Sequence, residues 1–119
     1  MYKSHIIGRV GEEIAEKYLI ENGYKIIERN FSCKQGEIDI IAKEKNEVVF
    51  IEVKTRTNNK YGAPIDAVTY FKRIHMLKAI KYYLFLKKLE NNFIRIDVIE
   101  IYNKNNKYFV NYIKNVMNS

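Results

Sequence analysis

The chain has 119 residues, with 21 Lys and Arg against 14 Asp and Glu for a formal net charge of +7, and is 47% hydrophobic with one proline and five glycines. That composition excludes a disordered tail, and the length suits a single domain over residues 1–119. No apolar run approaches the roughly 20 residues that cross a bilayer, no secretion-type apolar segment follows Met1, and the lone Cys33 excludes an internal disulfide or a cysteine-rich zinc site, so a cytoplasmic protein is expected.

In chain order, residues 5–22 read as a helix closed by Gly23, the residue type that most readily takes the left-handed conformation past a helix end. Its apolar side is Ile7, Val10, Ile14, Tyr18 and Leu19, with small Gly11 and Ala15 between them. Strands are predicted over 24–33, 36–44 and 47–55, the last carrying the run Val48-Val49-Phe50-Ile51. A loop over 56–63 holds Asn58, Asn59 and Gly62, and Pro64 fits the first turn of a long helix reaching residue 89. Two further strands, 93–102 and 107–113, flank the polar turn Asn103-Lys104-Asn105-Asn106. The order α-β-β-β-α-β-β predicts an α/β (α+β) fold, a mixed sheet with helices packed on it.

Charge is uneven along this order. Residues 1–60 hold 11 basic and 10 acidic groups, whereas 61–119 hold 10 basic and 4 acidic. From Lys54 to Lys88 nine basic residues, Lys72 and Arg73 among them, stand against Asp66 alone. Such a field favours a polyanion, although a solvated helix face in a lysine-rich chain gives the same count.

The second and third strands carry charged residues among apolar ones: Gly36-Glu37-Ile38-Asp39-Ile40-Ile41 and Phe50-Ile51-Glu52-Val53-Lys54. Residues two apart share a strand face, so Glu52 and Lys54 project together. A hairpin around Lys45-Asn46 pairs residue 44 with 47 and brings 39 opposite 52, with Cβ atoms about 5 Å apart. Two carboxylates that close repel, and a divalent cation relieves the repulsion. On the first helix Glu12 falls roughly 20° past Leu19, at the border of the apolar arc, whereas Glu13 and Glu16 point farther into solvent. Two readings stay open: a shared acidic site, or an acid–lysine salt bridge on a half-exposed sheet with Glu12 as a surface charge.

Gly8-Arg9-x-Gly11-Glu12-x-x-Ala15-x-x-Tyr18-Leu19, Gly36-Glu37-Ile38-Asp39 and Phe50-Ile51-Glu52-Val53-Lys54-Thr55-Arg56 together resemble the YraN family of endonuclease-like proteins. Tyr61-Gly62-x-Pro64-x-x-Ala67-Val68-x-x-x-Lys72 and Arg95-Ile96-Asp97-Val98 continue the match over nearly the whole chain. That family is similar to the Holliday-junction-resolvase branch of the PD-(D/E)xK nucleases, which implies a restriction-endonuclease-like sheet. The resemblance implies Asp39 as the motif's aspartate, Glu52 and Lys54 as its E-x-K, and Glu12 as the acid on the first helix. Ser32 stands where the family usually has arginine, and Asn115-Val116-Met117 replaces its usual Asn-Ala-Phe.

Phosphodiester hydrolysis is the expected chemistry, on nucleic acid and preferentially DNA, branched DNA included. Asp39 and Glu52 would hold Mg²⁺ or Mn²⁺, with the Val53 carbonyl as a further ligand and Glu12 reaching a second ion directly or through water. Lys54 would position or activate the water. Thr55, Arg56, Lys60, Lys72 and Arg73 are candidates for phosphate contact, and Tyr61 for either base stacking or loop packing. Gly8-x-x-Gly11 lacks the Lys-Ser/Thr of a phosphate-binding loop and reads as a close helix contact, and His5 and His75 have no zinc-ligand spacing. The competing readings are a nucleic-acid-binding module that does not cut, and a protein-interaction domain presenting its basic helix to an acidic partner. No membrane association is expected, and a homodimer stays open.

Overall fold

The computed structural model describes residues 2–56 and 70–116, with side chains from residue 8 to 56 and from 72 to 116. The elements are α1 (Tyr2–Glu21), β1 (Lys25–Cys33), β2 (Gly36–Glu44), β3 (Glu47–Arg56), α2 (Tyr70–Leu86), β4 (Phe93–Lys104) and β5 (Lys107–Ile113). They follow the predicted order, and the five strands form one mixed sheet, β1-β2-β3-β4-β5, in which only β3 and β4 run parallel. That parallel pair needs a crossover, and α2 lies on it. Among the described residues no helix is long and apolar enough to cross a membrane.

The helices cover opposite faces. Ala15 and Leu19 of α1 pack with Ile40, Val49, Ile51 and Ile99. Met76, Ala79, Ile80 and Tyr83 of α2 pack with Ile41, Val48, Phe50 and Ile96. β3 is therefore covered on both sides, which is why its Val48–Ile51 stretch is continuously apolar rather than alternating.

Helix α1 ends as its sequence indicates. Gly23 takes φ +88°, and the N–H groups of Tyr24 and Gly23 donate to Leu19 and Ile20 carbonyls at 2.9 and 3.1 Å. Helix α2 ends at Leu86, short of the predicted residue 89, by the same device: Lys88 takes φ +58° and Leu89 N–H donates to the Leu84 carbonyl at 2.8 Å. With lysine in place of glycine, nothing in the sequence marks that stop. The predicted first turn at Pro64 and the loop over 56–63 lie outside the described residues beyond Arg56. Two of the five residues at 82–86 are core, Tyr83 and Leu84 being buried, while Tyr82, Phe85 and Leu86 face outward.

Gly11 and Gly36 bring the helices onto the sheet. A Cβ at Gly11 would run into Thr55 Oγ1, and one at Gly36 would lie 2.9 Å from the His75 carbonyl oxygen. Gly8, by contrast, has nothing within 4 Å of such a Cβ, so the close approach read from Gly8-x-x-Gly11 belongs to Gly11 alone. Gly11→Ala is expected to destabilise the fold by about 1–3 kcal/mol through overpacking. Adding Thr55→Ala should recover part of it, and an unchanged melting curve for the single variant would refute the contact.

At one end of the sheet a buried network ties β4 to Tyr112 and Asn115. Arg95 Nε donates to Asp97 Oδ1 and Oδ2 at 3.1 and 3.0 Å, and its two other nitrogens reach Glu44, Glu47 and the Tyr24 hydroxyl. Asp97, fully buried, also accepts from the Tyr112 hydroxyl at 2.5 Å and from Asn115 N–H at 3.0 Å. Burial and then the Asp97 hydrogen bond hold the Tyr112 phenol protonated well above its usual range. These buried charges are satisfied within the network, as a stable interior requires.

Candidate functional site

The hairpin of β2 and β3 turns at Lys45-Asn46 and pairs Glu44 with Glu47, the predicted register, continuing to Ile40 opposite Ile51. The direct pairing expected next, Asp39 with Glu52, is replaced by another contact. Val53 N–H donates to Asp39 Oδ2 at 2.8 Å, so the carboxylate itself bridges the two strands.

A local kink accounts for this. Ile38 and Ile40 are two apart in one strand yet belong to opposite cores, and Phe31 packs under α2 while Arg29, two residues before it, pairs with α1. Between the Arg29–Ile40 and Phe31–Ile38 pairs, Asn30 takes the left-handed φ of +54°. The pleat reverses there in both strands, and Asp39 sits at the reversal. Asn tolerates that conformation better than most residues.

The alternation of β3 is regular. Glu52 and Lys54 share the α2 face, with Lys54 Nζ 3.3 Å from Glu52 Oε1. From α2, Lys72 forms a closer ion pair with the same oxygen. Glu52 is 5% exposed, whereas the Lys72 side chain is 46% exposed.

One cleft of about 790 Å³ collects Glu12, Asp39, Glu52, Val53, Thr55 and Lys72, together with Gly36, His75 and Met76. The contact of Gly36 with the His75 backbone seats α2 here, and Lys72 lies one helical turn before His75. His75 is held by its Nδ1 against the Gln35 carbonyl at 2.9 Å.

Electrostatics differ between the two central acids. Burial, followed by the charges of Glu52 and Glu12, pushes Asp39 from 3.8 up to about 6, against the Val53 hydrogen bond and Lys72 that pull it down. Burial, then a hydrogen bond with Lys72, lowers Lys54. Burial acts the same way on Lys72, but its hydrogen bond to Glu52 prevails and carries it above the ordinary lysine value. Of the two ammonium groups on Glu52, Lys72 holds its proton more firmly.

Glu12 lines the cleft, as its place on the helix suggests, but is shared with Arg29, whose Nη2 lies 3.5 Å away. Glu16 departs from the expectation that it faces solvent: it pairs with Arg29 Nη1 at 2.7 Å, because Arg29 projects to the α1 side of the kinked strand. Among the described residues no three His, Cys, Asp or Glu side chains converge as a ready metal cage.

The remaining candidates are more scattered. Arg56 shares the face of Glu52 and Lys54 and reaches the fully buried Glu100, Nη2 to Oε2, at 3.8 Å. Arg73 is on α2 outside the cleft lining, and Lys60 and Tyr61 lie outside the described residues. The residues that sequence reasoning missed are Arg29, His75 and the Asn30 kink. Asn30 beside Arg29 in a polar stretch of β1 is the faint signal for the last.

The family model described as "Uncharacterised protein family UPF0102" matches residues 11–101. The chain is 47% identical over 110 residues to a UPF0102 protein of Clostridium tetani, covering 91% of this chain and 90% of that one. It is 49% identical over 117 residues to a UPF0102 protein of Clostridium botulinum, covering 96% and 95%. A solved structure described as "Crystal structure of SSO0001" overlaps it at 21% identity and a TM-score of 0.43, over 93% of this chain and about half, 52%, of that one.

Proposed function

We propose that this chain, which belongs to the UPF0102 family, is a divalent-metal-dependent nuclease that hydrolyses phosphodiester bonds of nucleic acid, preferentially DNA. One observation carries the reading: Asp39 and Glu52, on neighbouring strands, line a single cleft beside a lysine whose pKa is lowered.

The donor set fits Mg²⁺ or Mn²⁺. Both acids offer hard oxygen ligands, and the raised Asp39 pKa marks a carboxylate short of positive charge. Mg²⁺ commonly takes one or two carboxylates and keeps waters or phosphate oxygens for its other positions, so a three-acid cage is not required. Asp39 and Glu52 would hold the ion, with the Val53 carbonyl as a further ligand and Glu12 acting through water while Arg29 restrains it. When bound, the ion supplies Lewis acidity to the phosphate and makes a coordinated water more acidic.

The chain's own groups do the rest. Val53 N–H fixes the Asp39 carboxylate, so little reorganisation is needed on loading. Lys54 stands on the same strand face as Glu52, where it orients the attacking water and offsets charge growing on the phosphate. Lys72, Thr55 and Arg56 follow around the cleft and β3 as phosphate contacts, with the half-buried Arg73 and the exposed lysines of α2 adding long-range attraction.

The test is purified protein against linear duplex, single-stranded, flapped and four-way DNA with Mg²⁺ or Mn²⁺. Wild type should cut at least one of these, and Glu52→Gln should cut at least about 10²-fold more slowly and lose most Mn²⁺ binding in calorimetry. Binding without cleavage by wild type on every substrate would overturn the nuclease in favour of a non-catalytic binding module.

A further inference from the structure

Glu52 is oversupplied with positive charge while its neighbour Asp39 is undersupplied. Lys54 and Lys72 both reach the same Glu52 oxygen, Oε1, from different elements. The main influences raising Asp39 are burial and the negative charges of Glu52 and Glu12. The two lysines are not equivalent in their freedom. Lys54 rises from the same strand and is 14% exposed, so its ammonium has little room to leave. Lys72 reaches in from the exposed wall of the cleft on a long flexible stem, and 46% of its side chain is open to solvent.

Resting on the metal-site reading above, we propose that Lys72 is a displaceable stand-in for the divalent cation. In metal-free protein its ammonium occupies the Glu52 oxygen that the cation needs. Loading expels it, and the released ammonium, still in the cleft, turns to the phosphate of the substrate. The charge balance of the cleft supports this exchange. Glu12, Glu37, Asp39 and Glu52 of its lining stand against Lys72, with Arg29 and Lys54 pairing Glu12 and Glu52 from beside it, which leaves one net negative charge, and a divalent ion reverses it to one net positive. A cation and an ammonium contending for one carboxylate oxygen that Lys54 already reaches repel each other, and the half-exposed partner is the cheaper to move. The phosphate then meets an ammonium that was absent from its path before loading, so substrate capture and cation loading reinforce each other.

The experiment measures cation binding and lysine accessibility, not turnover. Mn²⁺ and Mg²⁺ are titrated by calorimetry into wild type, Lys72→Met and, as a control for general charge removal on the same helix, Lys78→Met, each checked for folding by its melting curve. Lys72→Met should bind Mn²⁺ about fivefold more tightly, the worth of an ion pair of this exposure, and Lys78→Met should match wild type. Independently, acylation of wild-type lysines read by mass spectrometry should show Lys72 labelling rise on addition of Mg²⁺ while Lys87 stays constant. Equal Mn²⁺ affinity in wild type and Lys72→Met, or Lys72 labelling unmoved at saturating Mg²⁺, overturns the stand-in and leaves the metal site intact. Absence of Mn²⁺ binding in wild type and Lys72→Met alike overturns the metal site and the stand-in together.

Discussion

Lys54→Ala is expected to cleave at least about 10²-fold more slowly than wild type while binding nucleic acid with little change in affinity. The separation follows from where Lys54 sits. Its ammonium is largely buried 3.3 Å from Glu52, whereas the many exposed basic groups of α2 supply most of the attraction for a polyanion. Burial lowers its pKa, which brings the group closer to exchanging a proton with a neighbouring water. Lys54→Met, which keeps the apolar stem, isolates the ammonium from the packing lost in the alanine variant. A merely structural Lys54–Glu52 salt bridge predicts a different pattern, with a lowered melting temperature and undiminished cleavage by the folded fraction. Rates and melting curves on the same preparations decide between them, and an active wild type whose Lys54→Met variant cuts equally fast would remove the lysine from the chemistry.

How much of this site was readable in advance depended on whether the relevant geometry was local. The strand period puts Glu52 and Lys54 together without knowledge of any other element, and the two-residue turn at Lys45-Asn46 sets the register that runs from Glu44–Glu47 to Ile40–Ile51. Gly23 announces the end of α1 because it takes φ +88°, whereas Lys88 takes φ +58° at the end of α2 with no compositional warning. The Asp39 geometry was half legible. Its neighbourhood to β3 follows from register, but its hydrogen bond to Val53 depends on the Asn30 kink, a property of two strands jointly. Lys72 was recognisable as a basic residue near the site. That it pairs with Glu52 could not be read, because it depends on how the crossover seats α2, with Gly36 against His75. Arg29 was missed for a different reason: a register shift between Ile26 and Glu28 sets it opposite Ile40, on the side of Glu12 and Glu16.

The acid that serves the proposed chemistry should cost the fold stability, and Asp39→Asn exposes that cost. Unfolded, Asp39 ionises near 3.8, and folded, near 6. Below 3.8 both states hold the proton and the fold bears no penalty. As pH rises from 3.8 to 6 the unfolded chain releases the proton first, so the stability of the folded state falls, and above 6 the loss is complete. Allowing for partial solvent screening, the full loss is about 2 kcal/mol. Asn keeps an oxygen to accept the Val53 N–H while removing the charge that burial, Glu52 and Glu12 oppose. In metal-free buffer at pH 7.5, Asp39→Asn is therefore expected to melt roughly 5–10 °C higher than wild type, and the gap should close as pH approaches 4. Saturating Mn²⁺ should raise the wild-type melting temperature and that of Asp39→Asn far less, since the variant leaves Glu52 without its partner carboxylate for the ion. A variant less stable than wild type at pH 7.5, or a gap that ignores pH, would mean that Asp39 is a structural hydrogen-bond acceptor whose charge the fold tolerates without cost. A gap with the expected pH dependence but no Mn²⁺ response in wild type would separate the two claims, retaining the strained carboxylate and rejecting the cation as its remedy.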